Sequence, residues 1–161
     1  MAAETNAEVS GERAPAAAGA SVWEPEFSVI VACFNEEESI PEFGSRLSAA
    51  MDGLGRPYEI IYVNDGSRDG TFRALERLFE KDERVSAVID LFNNSGQEAA
   101  ITAGFELARG NKYILIDSDL QLEPEEIPLL VAEHDKGYDI VNGHRWRRKD
   151  PLPRSPGCGG A

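Results

Sequence analysis

The chain has 161 residues, with 29 acidic side chains against 16 basic ones and a formal net charge of -13. That length supports one domain with a real core and is too short for two ordinary ones. The acid excess argues against general nucleic-acid binding, the 42% hydrophobic content argues against disorder, and no apolar run approaches the ~20 residues of a membrane-spanning helix.

Residues 1–26 carry five Glu against Arg13 and lack a basic start followed by an apolar stretch. They read as a disordered acidic leader rather than a secretory signal. Organised sequence then runs over residues 27–150, and residues 151–161 read as a disordered tail. Phe27 to Cys33 is a short β-branched apolar run, which predicts a buried strand. Ser39 to Leu54 spaces Ile40, Phe43, Leu47, Ala50, Met51 and Leu54 at three- and four-residue steps, the pattern of an amphipathic helix. Tyr58 to Val63 predicts a second strand. Thr71 to Phe79 predicts a second helix, with Asp69 as its cap.

Val85 to Leu91 reads as a third strand. Gln97 to Ala108 reads as a helix whose small residues, Ala99, Ala100, Ala103, Gly104 and Ala108, allow close approach to a sheet. Tyr113 to Ile116 predicts a fourth strand. Pro124 suits the first turn of a further helix, which Pro128 should bend. Asp139-Ile140-Val141 predicts the start of a fifth strand. Strand and helix alternating at this spacing imply right-handed crossovers and a parallel sheet.

Ligands of such sheets bind at the carboxyl ends of the strands, near the switch in strand order. The residues after each strand therefore decide the function. They are Phe34-Asn35-Glu36-Glu37-Glu38, Asn64-Asp65-Gly66-Ser67-Arg68-Asp69-Gly70-Thr71, Asn93-Asn94-Ser95-Gly96-Gln97 and Asp117-Ser118-Asp119-Leu120-Gln121. One polar exit is an ordinary turn. Four polar exits, three of them acidic, indicate a site.

Asp117 and Asp119 lie two apart past a strand, so an extended segment turns both to one side. Two hard carboxylates near a phosphate suit Mg2+ or Mn2+. Alone, such a pair more often caps the next helix; the other exits favour the metal. Asp65 has two readings: acceptor of nucleobase N–H groups, or an Asx turn closing the Asp-Gly step. Gly66 and Gly70 permit positive φ in that turn.

No dinucleotide fingerprint, P-loop or Gly-x-Ser-x-Gly elbow occurs, and His134 and His144 have no nucleophile partner. Cys33 and Cys158 cannot build a disulfide framework, so Cys33 reads as a small core residue in a reducing compartment.

Together, Val29-Ile30-Val31-Ala32-Cys33-Phe34-Asn35-Glu36-Glu37, Val63-Asn64-Asp65-Gly66-Ser67-Arg68-Asp69-Gly70-Thr71, Gly96-Gln97-Glu98-Ala99-Ala100 and Asp117-Ser118-Asp119-Leu120-Gln121 resemble the family 2 glycosyltransferases with the GT-A fold. The Asp-Leu-Gln ending, the Gly137-Tyr138-Asp139-Ile140-Val141-Asn142-Gly143 segment and the basics from Arg145 are similar to the branch acting on polyprenyl phosphates. That branch includes dolichyl-phosphate mannose synthase and the undecaprenyl-phosphate glucosyl- and aminoarabinosyl-type transferases. The resemblance covers about residues 27–154.

It implies an α/β, Rossmann-like nucleotide-sugar fold with a mostly parallel sheet flanked by helices. It further implies that Ala32, Cys33, Phe34, Asn35, Glu36, Gly96 and Ser118 hold the nucleotide, and that Asp65 reads the base. Asp117 and Asp119 would bind Mg2+ or Mn2+ on the diphosphate, with Gln121 beside the metal or donor. Arg145 would meet the acceptor phosphate or the donor diphosphate. The implied reaction is inverting transfer of a hexose from a nucleotide sugar to a polyprenyl phosphate, in the cytoplasm at the membrane face.

The family commonly has Pro where Ala32 stands, Tyr where Phe34 stands and Arg where Asn93 stands, so a hydroxyl and a cationic contact are absent here. Family members also continue through an acceptor-side strand and an interfacial helix that the Pro156-Gly157-Cys158-Gly159-Gly160-Ala161 ending does not resemble. The expectation is a truncated chain whose acceptor-side half is incomplete. Two alternatives stand beside transfer to lipid: a nucleotide-sugar-binding fragment without turnover, and a transferase with a soluble sugar or protein acceptor.

Overall fold

The computed structural model describes residues 7–12, 24–119 and 122–143. Five strands and four α-helices follow one another as β1 (Ala7–Glu12), β2 (Phe27–Cys33), α1 (Ile40–Asp52), β3 (Tyr58–Asn64), α2 (Thr71–Lys81), β4 (Val85–Leu91), α3 (Gln97–Leu107), β5 (Lys112–Asp117) and α4 (Ile127–His134). The sheet order is β1-β4-β3-β2-β5. β2 through β5 are mutually parallel, and β1 runs antiparallel on β4. The chain steps from β2 outward to β3 and β4, then crosses back to place β5 on the other side of β2. The switch in strand order therefore falls between β2 and β5, with Ala32 opposite Asp117 in register.

Alternation along the strands divides the core into two faces. Val29, Val31, Ile60 and Tyr62 pack with Ile40, Phe43, Leu47 and Met51 of α1, Leu75 of α2 and Val131 of α4. Ile30, Ile61, Val63 and Ile89 face Ala100 and Ala103 of α3. The small side of α3 has the consequence its composition predicts. A Cβ on Gly104 would sit 2.5 Å from Ile30 Cγ2, so the helix lies closer to the sheet than any larger residue allows. Pro128 falls in the first turn of α4, after a 3-10 turn at Pro124–Glu126. There its missing N–H costs nothing, so it starts the helix instead of bending it.

At the amino ends of the strands the fully buried Glu59 ties three segments together. It accepts from Ser28 Oγ (2.7 Å), the Arg109 N–H (2.7 Å) and the Arg109 guanidinium (2.6 and 2.9 Å). Burial pushes its pKa up, but these donors outweigh burial and hold it below the ordinary carboxylate value.

Two expectations are corrected. The leader over residues 1–26 contains a strand, because β4 offers an unpaired ladder that β1 completes. The register shifts between Val9 and Gly11, and a Cβ on Gly11 would lie 2.9 Å from the Phe79 ring. Residues 139–141 form no strand. Among the described residues the outer edge of β5 stays unpaired: Ile140 and Val141 line a cavity against Tyr113 and Leu115 without adding ladder hydrogen bonds, and Ile140 is 87% exposed. The expected tail over residues 151–161 lies outside the described residues. No helix among those described is long and apolar enough to cross a membrane.

Candidate functional site

All four exits of the parallel strands converge on one cleft of about 300 Å³ at the carboxyl edge. Ala32, Cys33, Phe34 and Glu36 line it from β2, and Asp65 from β3. Asn94, Gly96 and Gln97 come from the turn into α3, and Asp117, Ser118 and Asp119 from β5. The cleft sits at the switch between β2 and β5, where a parallel α/β sheet places its ligand.

Hydrogen bonds between loops build the walls. Asp65 is buried, and its carboxylate accepts the Ser95 N–H (2.7 Å) and the Gly96 N–H (2.9 Å). Its own N–H donates to the Cys33 carbonyl (2.9 Å). The Asx-turn reading is thus corrected: the carboxylate reaches across to the β4–α3 turn instead of closing its own. Gly66, at φ +63°, makes that reach possible, because a Cβ there would lie 2.4 Å from the backbone of Asn93 and Asn94. Gly70, and not Asp69 as expected, is the N-cap of α2; Asp69 stands one residue earlier and accepts the Thr71 N–H at 3.0 Å and the Thr71 hydroxyl.

The β2–α1 turn is held from below. The Asn35 N–H donates to Ser67 Oγ (2.9 Å), and Asn35 Oδ1 accepts the Arg68 N–H (2.9 Å). Ser67 Oγ in turn donates to Asn64 Oδ1, and Asn64 Nδ2 to Asp90 Oδ1 (2.6 Å). This relay keeps Asn35 at φ +55°, a left-handed conformation that asparagine tolerates. Asn35 therefore supports the turn and, unlike its neighbours, does not line the cleft.

Glu36 accepts Ser39 Oγ (2.7 Å) and donates its N–H to Thr71 Oγ1 (2.8 Å), joining the starts of α1 and α2. Cys33 enters through its backbone, as its side chain is buried and desolvation pushes the thiol up to about 12.

The end of β5 carries the two carboxylates. Ser118 turns inward, buried, with its hydroxyl on the Ala32 carbonyl (3.4 Å). Asp117 and Asp119 flank it, and both reach the cleft. Gln97 Nε2 donates to Asp117 Oδ1 at 2.6 Å. Gln97 stands in one of the motifs quoted above, yet its part is legible only once α3 and β5 are placed. Asn94, which belongs to the third polar exit but carries no role of its own in the motifs, also lines the cleft. Gln121 and Arg145 lie outside the described residues. His134 is apart from the site, half-buried at the end of α4.

No group of three metal-binding side chains occurs among the described residues. The donor set present is a pair of hard carboxylates in an open polar cleft. That fits Mg2+ or Mn2+ completed by substrate phosphates, and does not fit a cation caged by protein alone.

The family model for glycosyl transferase family 2 matches residues 28–157. The chain belongs to that family. Among curated relatives, the undecaprenyl-phosphate 4-deoxy-4-formamido-L-arabinose transferase of Pseudomonas paraeruginosa (strain DSM 24068 / PA7) is 46% identical over 123 residues, which is 76% of this chain and 36% of the relative. The transferase of the same name from Shewanella sediminis (strain HAW-EB3) is 46% identical over 128 residues, 79% of this chain and 38% of its own. This family 2 chain thus spans little more than a third of the relatives' length. S. aureus TarS 1-349, solved in complex with UDP-GlcNAc, superposes with a TM-score of 0.51 at 26% identity, covering 69% of this chain and 31% of that one. The architecture is that of GT-A glycosyltransferases.

Proposed function

We propose that this chain is the donor-binding part of a glycosyltransferase that moves a hexose from a UDP- or GDP-sugar to a polyprenyl phosphate with inversion. The observation carrying the reading is the convergence of four strand exits on one cleft, with Asp117 and Asp119 at the switch point. The printed names of the relatives support the lipid phosphate as acceptor. The TarS complex supports a nucleotide sugar as donor.

The chemistry suits the residues. The acceptor phosphate is already an anion near neutral pH, so its oxygen attacks the anomeric carbon without a protein base. The bond from that carbon to the diphosphate breaks, and the nucleoside diphosphate leaves with the electron pair. Ala32, Phe34 and Glu36 border the nucleotide, and Asp65 presents its carboxylate at the base end. Asp117 and Asp119 would hold Mg2+ or Mn2+, which would supply positive charge to stabilise the leaving diphosphate. Orientation in the cleft supplies much of the remaining rate. Arg145 and the basics after it are assigned to the acceptor or donor phosphates at the cytoplasmic membrane face.

A second reading is binding of donor without transfer by the chain alone. Among the described residues lining the cleft there is no basic side chain for an acceptor phosphate, which favours it. The deciding assay incubates the chain with labelled UDP- and GDP-sugars, Mn2+ and undecaprenyl phosphate in detergent, then extracts the lipid. Label in the lipid supports the proposal. Metal-dependent binding with no transfer supports the second reading, and label in a water-soluble acceptor contradicts the lipid assignment.

A further inference from the structure

The structure assigns Gln97 as a positioning residue that orients Asp117 from across the switch point, an inference that rests on the donor-site reading above. The observation is geometric. Gln97 is the first residue of α3, and Asp117 is the last residue of β5. In the sheet β2 lies between β3 and β5, so the turn carrying Gln97 approaches from the far side of β2. Its side chain passes the end of β2 and donates Nε2–H to Asp117 Oδ1 at 2.6 Å. An ionised carboxylate can only accept, so the partner atom must be the amide nitrogen.

The turn itself is anchored at its other end. Ser95 and Gly96 give their N–H groups to Asp65, and Gly96 at φ +92° turns the chain into the helix. Three consecutive residues, Ser95, Gly96 and Gln97, thus link the carboxylate at the base end of the cleft to the carboxylate at the metal end. Fixing one oxygen of Asp117 sets the direction of the carboxylate plane. Groups that hold a metal-binding carboxylate in this way tune the affinity for the metal.

A role confined to stability fits poorly. Gln97 is exposed, and a single hydrogen bond at an exposed site adds little to folding. What the bond governs is orientation, which matters only when a cation and a diphosphate are bound.

The test is calorimetric titration of the 161-residue chain with UDP and with GDP, each with and without Mn2+, for wild type and Gln97→Met. Methionine keeps the length and removes the donor. The expected result is unchanged melting, with the Mn2+-dependent gain in affinity reduced about ten-fold or more and the metal-free affinity falling by less than that. Gln97→Leu also removes the donor and adds no charge; its loss should match, and it carries the test if the methionine variant folds poorly. An undiminished Mn2+ gain in both variants overturns the inference. So does an equal fall of metal-free and metal-bound affinity, which marks a structural role. Absence of any Mn2+ gain in the wild type is a separate outcome that removes the donor-site reading, and the inference with it.

Discussion

Replacing Asp65 with asparagine tests whether this carboxylate is a structural tie as well as a ligand. The side chain is buried and receives two backbone N–H groups, from Ser95 at 2.7 Å and Gly96 at 2.9 Å. Asparagine keeps one acceptor oxygen and turns an NH2 group toward the second N–H, so one charge-assisted bond is lost. That loss costs about 1.5–3 kcal/mol. At this chain length 1 kcal/mol moves the melting temperature by about 2–4 °C, which gives a fall of about 3–12 °C. Thermal unfolding followed by circular dichroism reads the fall, and amide exchange at Ser95 and Gly96 should quicken with it. Melting within ~1 °C of wild type would refute the reasoning, since no buried pairing of this kind is lost so cheaply. The consequence for function is direct: weaker nucleotide binding in an Asp65 variant reports on the base only if the β4–α3 turn is shown to have stayed in place.

Other expectations concern the core and the acid range. In a Cys158→Ser background, Cys33 should resist iodoacetamide at neutral pH until the chain unfolds, because burial keeps the thiol protonated with a pKa of about 12; rapid labelling of the folded chain would contradict this. Glu26 is lowered from 4.5 to about 2, first by its hydrogen bonds to Arg56 and then by Lys112. A carboxylate depressed in the folded state stabilises it fully above its unfolded pKa and loses that contribution as pH falls toward the folded one. The loss through Glu26 therefore falls between about pH 4.5 and about pH 2. Glu26→Gln should flatten this part of the decline in urea midpoints, and an unchanged slope would contradict the ion pair's role.

The parallel strands were legible because a strand buried on both faces is mostly apolar, as Phe27 to Cys33 is but for Ser28 and Val85 to Leu91 is but for Ser86 and Asp90. The small residues of α3 carried real packing information, realised where Gly104 meets Ile30. The strand at Ala7–Glu12 was hidden by its acidic surroundings, since what forms it is the vacant edge of β4. Ile140 and Val141 misled because β propensity is realised only when the backbone pairs, and here it does not, although among the described residues the outer edge of β5 is free. Within the site, the acidic pair and the polar exits could be read from the motifs alone. The partners of Asp65 and Asp117 could not, because Ser95, Gly96 and Gln97 reach them only after two crossovers bring the loops to one edge.

Asp117 and Asp119 are proposed to build a metal-assisted donor site. Its most direct test is the heat of binding of UDP and of GDP to wild type and to Asp119→Ala, each with and without Mn2+. One nucleotide should bind the wild type in a Mn2+-dependent manner, and the variant, still folded, should lose the Mn2+-dependent part. A folded wild-type chain that binds neither nucleotide, or binds equally well without Mn2+, would contradict it.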